Sequence, residues 1–413
     1  MVMKFIIISV ALLACEALLD ETNCPDSFKK RCHCGMARST YDNFDKLKFT
    51  VNCTNTGFTS ADMLMSLPEQ TEVLIFTGNT IETLPVNILN NFKEYNNLET
   101  IDMSNNHIRF VQGKTFHKVY NVKTLILNHN DMDITEERAR PRIFSNFENL
   151  ERLHLTNAFT EKINASEYLL KLEDIFYQSD LRYLKVLHLE QNEIWSIGNN
   201  GRVFCQLPDL EQLLLGDNRL KDLDFHIDCL HKLRYIDLER NMIFRMSQQA
   251  MKRLDNFANG SQKLQVKLSD NPFNCDCRTT DFYNWLKSTK VEVIDWENYD
   301  CIDGYPQENV GKTFKEIRDL RCPENSTLDK EKKNFQNIVT SYKEGSEPIP
   351  RHSSVTIGVL AFLLVFTTSM LLAVAYFQRK KMKGLIMPYW DFITRKIGYV
   401  GISNEEAPQE VNV

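Results

Sequence analysis

The sequence predicts an α/β repeat solenoid: short parallel strands stacked into a concave sheet, disulfide-bonded caps at both ends, and one transmembrane helix. Three observations lead there. A nine-residue pattern of aliphatic residues and asparagine returns eight times in order. Four cysteines gather on each side of the repeats. An uncharged stretch of 23 residues, Val355 to Phe377, follows all of them.

The repeated unit is L-x-x-L-x-L-x-x-N. It is clear at Leu98-Ile101-Met103-Asn106, Val122-Leu125-Leu127-Asn130, Leu184-Leu187-Leu189-Asn192, Leu210-Leu213-Leu215-Asn218 and Leu233-Ile236-Leu238-Asn241. Weaker copies end at Asn79 and Asn271, and in Leu150-Leu153-Leu155 the asparagine place is taken by Ala158. Most copies are 23 to 30 residues apart. The central x-L-x-L-x alternates with period two, so each repeat supplies a short strand with its aliphatic residues on one face. The asparagine then turns inward, where its amide can pair backbone groups left over by the bend. Eight strands at ~4.8 Å make a sheet on the order of 40 Å long.

The chain ends carry targeting signals. Lys4 precedes an apolar run from Phe5 to Ala14, and Cys15 and Ala17 suit a signal-peptidase site, so residues 1–17 read as a signal peptide. Leu12 to Cys15 also resembles a lipoprotein box, but the second apolar run argues against that. That run would rise about 34 Å as a helix, slightly more than a ~30 Å hydrocarbon core. A buried core helix is the alternative, and it rarely lacks a polar stripe over such a length. Arg379, Lys380, Lys381 and Lys383 follow the span and outnumber Arg351 and His352 before it. This basic excess places the C-terminus in the cytoplasm, a single-pass type I topology at the plasma membrane with the N-terminus outside. The expected order is an N-terminal cap over 18–66 and repeats over 67–270 with a charged insert near 131–149. A C-terminal cap over 271–323, a stalk over 324–354, the span over 355–377 and a tail over 378–413 follow.

Removing Cys15 leaves ten of eleven cysteines, all before the span. In an exported chain that number implies disulfides. Cys24, Cys32, Cys34 and Cys53 belong to the first cap, and Cys275, Cys277, Cys301 and Cys322 to the second. Each set allows three pairings, and neighbours in a C-x-C pair are poorly placed to bond each other. Zinc, with His33 between two cysteines, is the alternative for the first set, but the spacing is wrong for a zinc finger. Cys205 and Cys229, one repeat length apart, either bridge adjacent repeats or remain two buried free thiols. Asn52, Asn164, Asn259 and Asn325 each open an N-x-S/T glycosylation motif outside the membrane. Asn52 is the awkward one, because Cys53 beside it should be bridged.

Three stretches narrow the field. They are Thr124 to Asn130 running into the charged insert Thr135 to Arg142, the cap run Leu268 to Cys277 with Asp281 and Trp285 to Thr289, and the span with its basic-then-aromatic tail. Together they resemble the trophoblast glycoprotein family of leucine-rich-repeat membrane proteins, over essentially the whole mature chain. The resemblance to leucine-rich-repeat caps implies first-to-third and second-to-fourth pairing: Cys24–Cys34, Cys32–Cys53, Cys275–Cys301 and Cys277–Cys322. The family resemblance implies a protein ligand that is extracellular or in the membrane, with a Wnt-pathway component among the candidates. It also implies dampening of the β-catenin branch and a role in motility or adhesion. Family tails end in a PDZ-binding Ser-Asp-Val; here Val411 replaces the serine and Val413 keeps the last place, which suits a PDZ pocket taking apolar residues at both positions.

Non-leucine strand positions should face the concave side, a platform for partners. One column reads Ile75, Asp102, Ile126, His154, His188, Leu214, Asp237 and Lys267, flanked by Arg152, Glu190, Tyr235 and Glu239. Exposed Ile75, Ile126 and Leu214 with Tyr235 would form a binding hot spot; the plainer alternative is a solvated sheet. The family resemblance implies a second candidate surface, the convex side or the insert Thr135 to Arg142. His154 and His188 suggest a metal or pH-sensitive pair, against which stands the irregular repeat between them. In the tail, Leu385 to Tyr399 is apolar enough for an interfacial helix starting near Pro388. A net charge of −6 gives no reason to expect nucleic acid. No nucleophile elbow, P-loop or H-E-x-x-H motif is present, so neither an enzyme nor a cofactor is expected. The same architecture also suits an adhesion molecule or a pattern-recognition co-receptor.

Overall fold

In the computed structural model, the described residues are 24–322 except 29–30, 42–45, 90–93, 136–141, 163, 180, 198–200 and 261–262. The predicted signal peptide, stalk, membrane span and tail, with Asn325, Val411 and Val413, lie outside them. Among the described residues no helix is long and apolar enough to cross a membrane.

One eleven-stranded sheet runs through the described region. Its strands are β1 (His33–Arg38), β2 (Leu47–Asn52), β3 (Val73–Ile75), β4 (Thr100–Asp102), β5 (Thr124–Ile126) and β6 (Arg152–His154), then β7 (Val186–His188), β8 (Gln212–Leu214), β9 (Tyr235–Asp237), β10 (Gln265–Lys267) and β11 (Glu292–Ile294). Only β1 and β2 pair antiparallel, as a hairpin in the N-terminal cap; every later pairing is parallel. The order follows the chain, as a solenoid requires.

Register turns the sequence pattern into rows. Val51, Leu74, Ile101, Leu125, Leu153, Leu187, Leu213, Ile236, Val266 and Val293 align strand to strand and are all buried. A second buried row, from Phe76 and Met103 through Leu127, Leu155, Leu189, Leu215 and Leu238 to Leu268, lies behind the strand ends. No strand of three residues is stable alone; burying two aliphatic rows against neighbours holds each in place.

The asparagines close the third requirement, which is pairing polar backbone in a dry interior. Asn218 shows how: its Nδ2 donates to the carbonyls of Leu189 (2.9 Å) and Leu215 (3.0 Å), and its Oδ1 accepts from the amides of Asn192 (2.9 Å) and Ile194 (3.0 Å). The same reach to the preceding repeat recurs from Asn106 to Phe76, Asn130 to Met103, Asn192 to Leu155, Asn241 to Leu215 and Asn271 to Leu238. Where Ala158 stands, a backbone bond from the Asn130 amide to the Asn157 carbonyl (3.2 Å) bridges the gap. Beside it the helix α1 (Ala165–Ser179) lays Tyr168 against Phe159, ring centroids 4.7 Å apart, and sends the Tyr168 hydroxyl to the Asn192 carbonyl. The irregular repeat therefore replaces one rung of the ladder with an aromatic plug.

Both ends are closed. Among the described residues five disulfides are present: Cys24–Cys34, Cys32–Cys53, Cys205–Cys229, Cys275–Cys301 and Cys277–Cys322. The Cys205–Cys229 bond ties the short turn Val203–Gln206 to the next connection. The C-terminal cap adds β11 to the sheet and packs Phe273, Phe282, Tyr299 and Phe314 against one another. The Tyr299 hydroxyl accepts from the Leu268 amide (3.0 Å) and donates to the Ile294 carbonyl (2.6 Å), joining the last repeat to the cap. Helices α2 (Gln248–Ala258) and α3 (Thr280–Ser288) complete this end.

Asn218→Ala leaves buried amides and carbonyls on two repeats without partners. It should destabilise the chain by about 3 kcal/mol, since each such group costs ~1–3 kcal/mol. Denaturant unfolding checks this; a loss under about 1 kcal/mol would contradict the role given to the ladder.

Candidate functional site

The column read from the sequence is a true register row. Ile75, Asp102, Ile126, His154, His188, Leu214, Asp237 and Lys267 align on successive strands, and Asn52 and Ile294 extend the row at its two ends. Neither extension was read from the sequence, because the caps do not carry the repeat pattern.

Asp102, Ile126 and Asp237 are the buried members of this row. In the N-terminal half the cap reaches onto the sheet. Tyr41 Oη donates to Asp102 Oδ2 (2.7 Å), passing over β3, and Lys48 Nζ donates to Glu99 Oε2 (2.6 Å), whose other oxygen takes Lys123 Nζ (3.0 Å). Val73, Thr100 and Thr124 are buried on this face, and Ile126 is only 7% exposed. The expectation of an exposed Ile126 is therefore corrected: it lies one strand from Asp102, in the half that the cap crosses, and Arg152 Nε bonds to its neighbour Thr124 (3.1 Å). Burial against the sheet raises the Tyr41 hydroxyl pKa well above the ordinary phenol range, with the Asp102 carboxylate adding to the effect.

Ile75 on β3 stays half-buried, apart from the other expected anchors, and from β6 onward His154, His188, Leu214 and Tyr235 lie half-buried side by side. His154 and His188 do meet, which corrects the view that the irregular repeat separates them. The extra residues go into α1, away from the sheet, and leave β6 and β7 direct neighbours with the two histidines in register. Their rings stack at 4.0 Å between centroids, 12° from parallel. His188 Nδ1 pairs with Glu190 Oε1 (2.9 Å), and Glu190 Oε2 accepts from Thr156 Oγ1 (2.8 Å). Stacked rings hold their nitrogen lone pairs in separate parallel planes, so they do not converge on one metal ion. Among the described residues no group of three or more His, Cys, Asp or Glu side chains is placed to hold one. Burial, then His188 and Arg152, drives the His154 pKa down to about 3.

Past Leu214 the face becomes a charged network. Asp237 is buried; its Oδ1 accepts from the Glu239 amide (2.9 Å), and burial raises its pKa, with Glu239 adding to the rise. Burial also opposes ionisation of Glu239, but contacts to Lys267 and Arg240 outweigh it and keep that carboxylate below its usual range. Arg240 also forks onto Asp217 (2.6 and 2.8 Å). Asp237 is thus part of the platform's base, and Tyr235 and Leu214 are its reachable side chains. Asn52 is half-buried, with its Oδ1 taken by the amide (3.0 Å) and hydroxyl (2.6 Å) of Thr54. Asn164 and Asn259 are exposed at ends of α1 and α2, off the sheet. Of the charged insert, residues 136–141 lie outside the described residues.

The His154 pair has a pH consequence. Its folded pKa lies below the unfolded ~6.5, so below that pH the unfolded chain takes up a proton that the folded chain refuses. Stability from this residue is complete above pH 6.5 and declines as pH falls toward 3. Between pH 6.5 and 5 the wild-type chain should lose about 1.5 kcal/mol more than His154→Phe, the slope approaching 1.36 kcal/mol per pH unit as the unfolded imidazole becomes fully protonated. Parallel unfolding curves for the two proteins would argue that His154 protonates freely in the fold.

Known proteins give the same picture. Residues 182–243 match the leucine-rich-repeat family model. Trophoblast glycoprotein of Macaca fascicularis is 24% identical over 72% of this chain and 68% of its own length. Human Toll-like receptor 5 is 26% identical over 65% of this chain, which spans only 28% of that receptor. The crystal structure of human 5T4, also called Wnt-activated inhibitory factor 1 and trophoblast glycoprotein, superposes with a TM-score of 0.57 at 25% identity, covering 73% of this chain and all of that one. The buried rows, the asparagine ladder, the paired caps and these likenesses together make the chain a leucine-rich-repeat protein similar to trophoblast glycoprotein.

Proposed function

We propose that the chain is a cell-surface glycoprotein that binds a protein ligand on the open half of its concave face and thereby inhibits the β-catenin branch of Wnt signalling, with an effect on cell motility. The observation that carries the reading is a run of four half-buried side chains, His154, His188, Leu214 and Tyr235, on the adjacent strands β6 to β9, whereas Asp102 and Ile126 on the two strands before them are buried. Aromatic and aliphatic anchors within a polar surround are the usual make-up of an interface hot spot. The name Wnt-activated inhibitory factor 1, carried by the similar human protein, supports the signalling role. Anchoring by 355–377 and a cytoplasmic PDZ contact through Val411 and Val413 complete the proposal.

A binding role is favoured over catalysis, since the relatives named above include a receptor and an inhibitory factor. In cells carrying a β-catenin-responsive reporter, the full chain should lower the ligand-stimulated signal. Leu214→Arg with Tyr235→Ala should restore most of it at equal surface display, because loss of a hot-spot residue costs ~2 kcal/mol or more of binding energy. A reporter indifferent to the wild-type chain contradicts the Wnt assignment; aggregation of cells displaying the chain would then favour adhesion.

A further inference from the structure

Asn164 and Trp195 come from different repeats, and their contact has no place in the concave surface. Asn164 begins the motif Asn164-Ala165-Ser166 and is exposed. Its carbonyl accepts from the Glu167 amide (2.9 Å), so it sits where α1 starts. Trp195 arrives from the connection after β7 and donates its indole Nε1–H to Asn164 Oδ1 at 3.1 Å.

The Trp195 backbone is held on both sides. The Ile194 amide bonds to Asn218 Oδ1 (3.0 Å), and the Ile194 side chain is fully buried. Ser196 Oγ donates to Asp224 Oδ2 (2.6 Å), and the Ile197 amide reaches the same carboxylate (3.2 Å). Yet Trp195 is 48% exposed, whereas Trp285 is buried and donates to Asp255, and Trp296 is half-buried. Half of a large aromatic surface is thus left in water by a segment too firmly fixed to withdraw it. The other described glycosylation motifs lack this arrangement: Asn52 bonds its own Thr54, and Asn259 accepts from Lys290 Nζ (3.0 Å).

We infer that Trp195 is a platform for an N-linked glycan at Asn164, its indole N–H orienting the carboxamide and its exposed face packing against the first N-acetylglucosamine. The inference rests on the export of the chain proposed above. Transfer forms a bond between C1 of the sugar and Asn164 Nδ2, while C1 leaves the diphosphate oxygen of a polyprenyl-linked oligosaccharide donor. Nδ2 gives up one proton, balanced by the released diphosphate. The Oδ1 atom gains and loses no covalent bond, so in the glycosylated fold it still accepts from the indole. The apolar C–H face of the sugar then covers aromatic surface that the fold leaves open, joining α1 to the following repeat.

The test uses the full chain from human cells grown with a mannosidase inhibitor, purified in detergent. Glycopeptide mass spectrometry reports Asn164 occupancy, and that of Asn52, Asn259 and Asn325 reports export separately. One sample is trimmed to a single N-acetylglucosamine per site, and a second is stripped fully by amide hydrolysis, which leaves aspartate at each site in wild type and variant alike. Removing the last sugar should lower the melting temperature of the wild type by about 2 °C more than that of Trp195→Ala. Trp195→Phe, which keeps a ring and serves if the alanine variant fails to fold, should retain part of the difference. An unmodified Asn164 in a chain glycosylated elsewhere overturns the inference, as does a melting shift that ignores residue 195. A chain glycosylated nowhere would instead count against export.

Discussion

A three-residue strand followed by a tight bend leaves more polar backbone groups than it can pair, and in this protein those groups lie in an apolar interior. The asparagine ladder answers that constraint. Each amide reaches back to a carbonyl of the preceding repeat while its oxygen takes amides from the repeat before or from the bend. Because every asparagine serves two repeats, no repeat is satisfied alone, and cooperativity is built into the polar groups as well as the leucines. The open ends follow from the same logic: a first and a last repeat have one neighbour each, so disulfide-bonded caps supply the missing face.

The N-terminal cap does more than close an end. Its hairpin aligns Asn52 with the sheet row and carries Tyr41 across to Asp102, so part of the concave face is spent on holding the cap. Beyond the buried Asp102 and Ile126, half-buried side chains run from the histidine stack toward the Glu239–Lys267 pair. The exposed glycosylation motifs at Asn164 and Asn259 sit at helix ends on the connections, where sugars would not obstruct that face.

Much of this was legible in the sequence, because period-two alternation and an inward asparagine are local and repeated. The row from Ile75 to Lys267 came out in correct register for that reason. Exposure within the row did not. Ile126 looks identical to Leu214 in sequence, but its strand neighbours are Asp102, which the distant Tyr41 bonds, and His154. The spacing of 34 residues from His154 to His188 suggested separation, since sequence distance cannot say whether extra residues enter the sheet or bulge away from it. Helix α1 takes them away. Ala158 in the asparagine place was visible, but its substitute, the Tyr168 hydroxyl with a backbone bond, depends on that same helix. The cap pairings were implied by family likeness and not by the four cysteines alone.

Hydroxyl-radical footprinting of the intact chain, read by mass spectrometry, tests the stacked architecture most directly, because methionine oxidation reports side-chain access without any substitution. Met36 and Met65, at 56% and 50% exposure, should oxidise quickly, and Met103, fully buried between repeats, should be protected until the chain unfolds. Oxidation of Met103 in the native chain at the rate of Met36 would contradict the account.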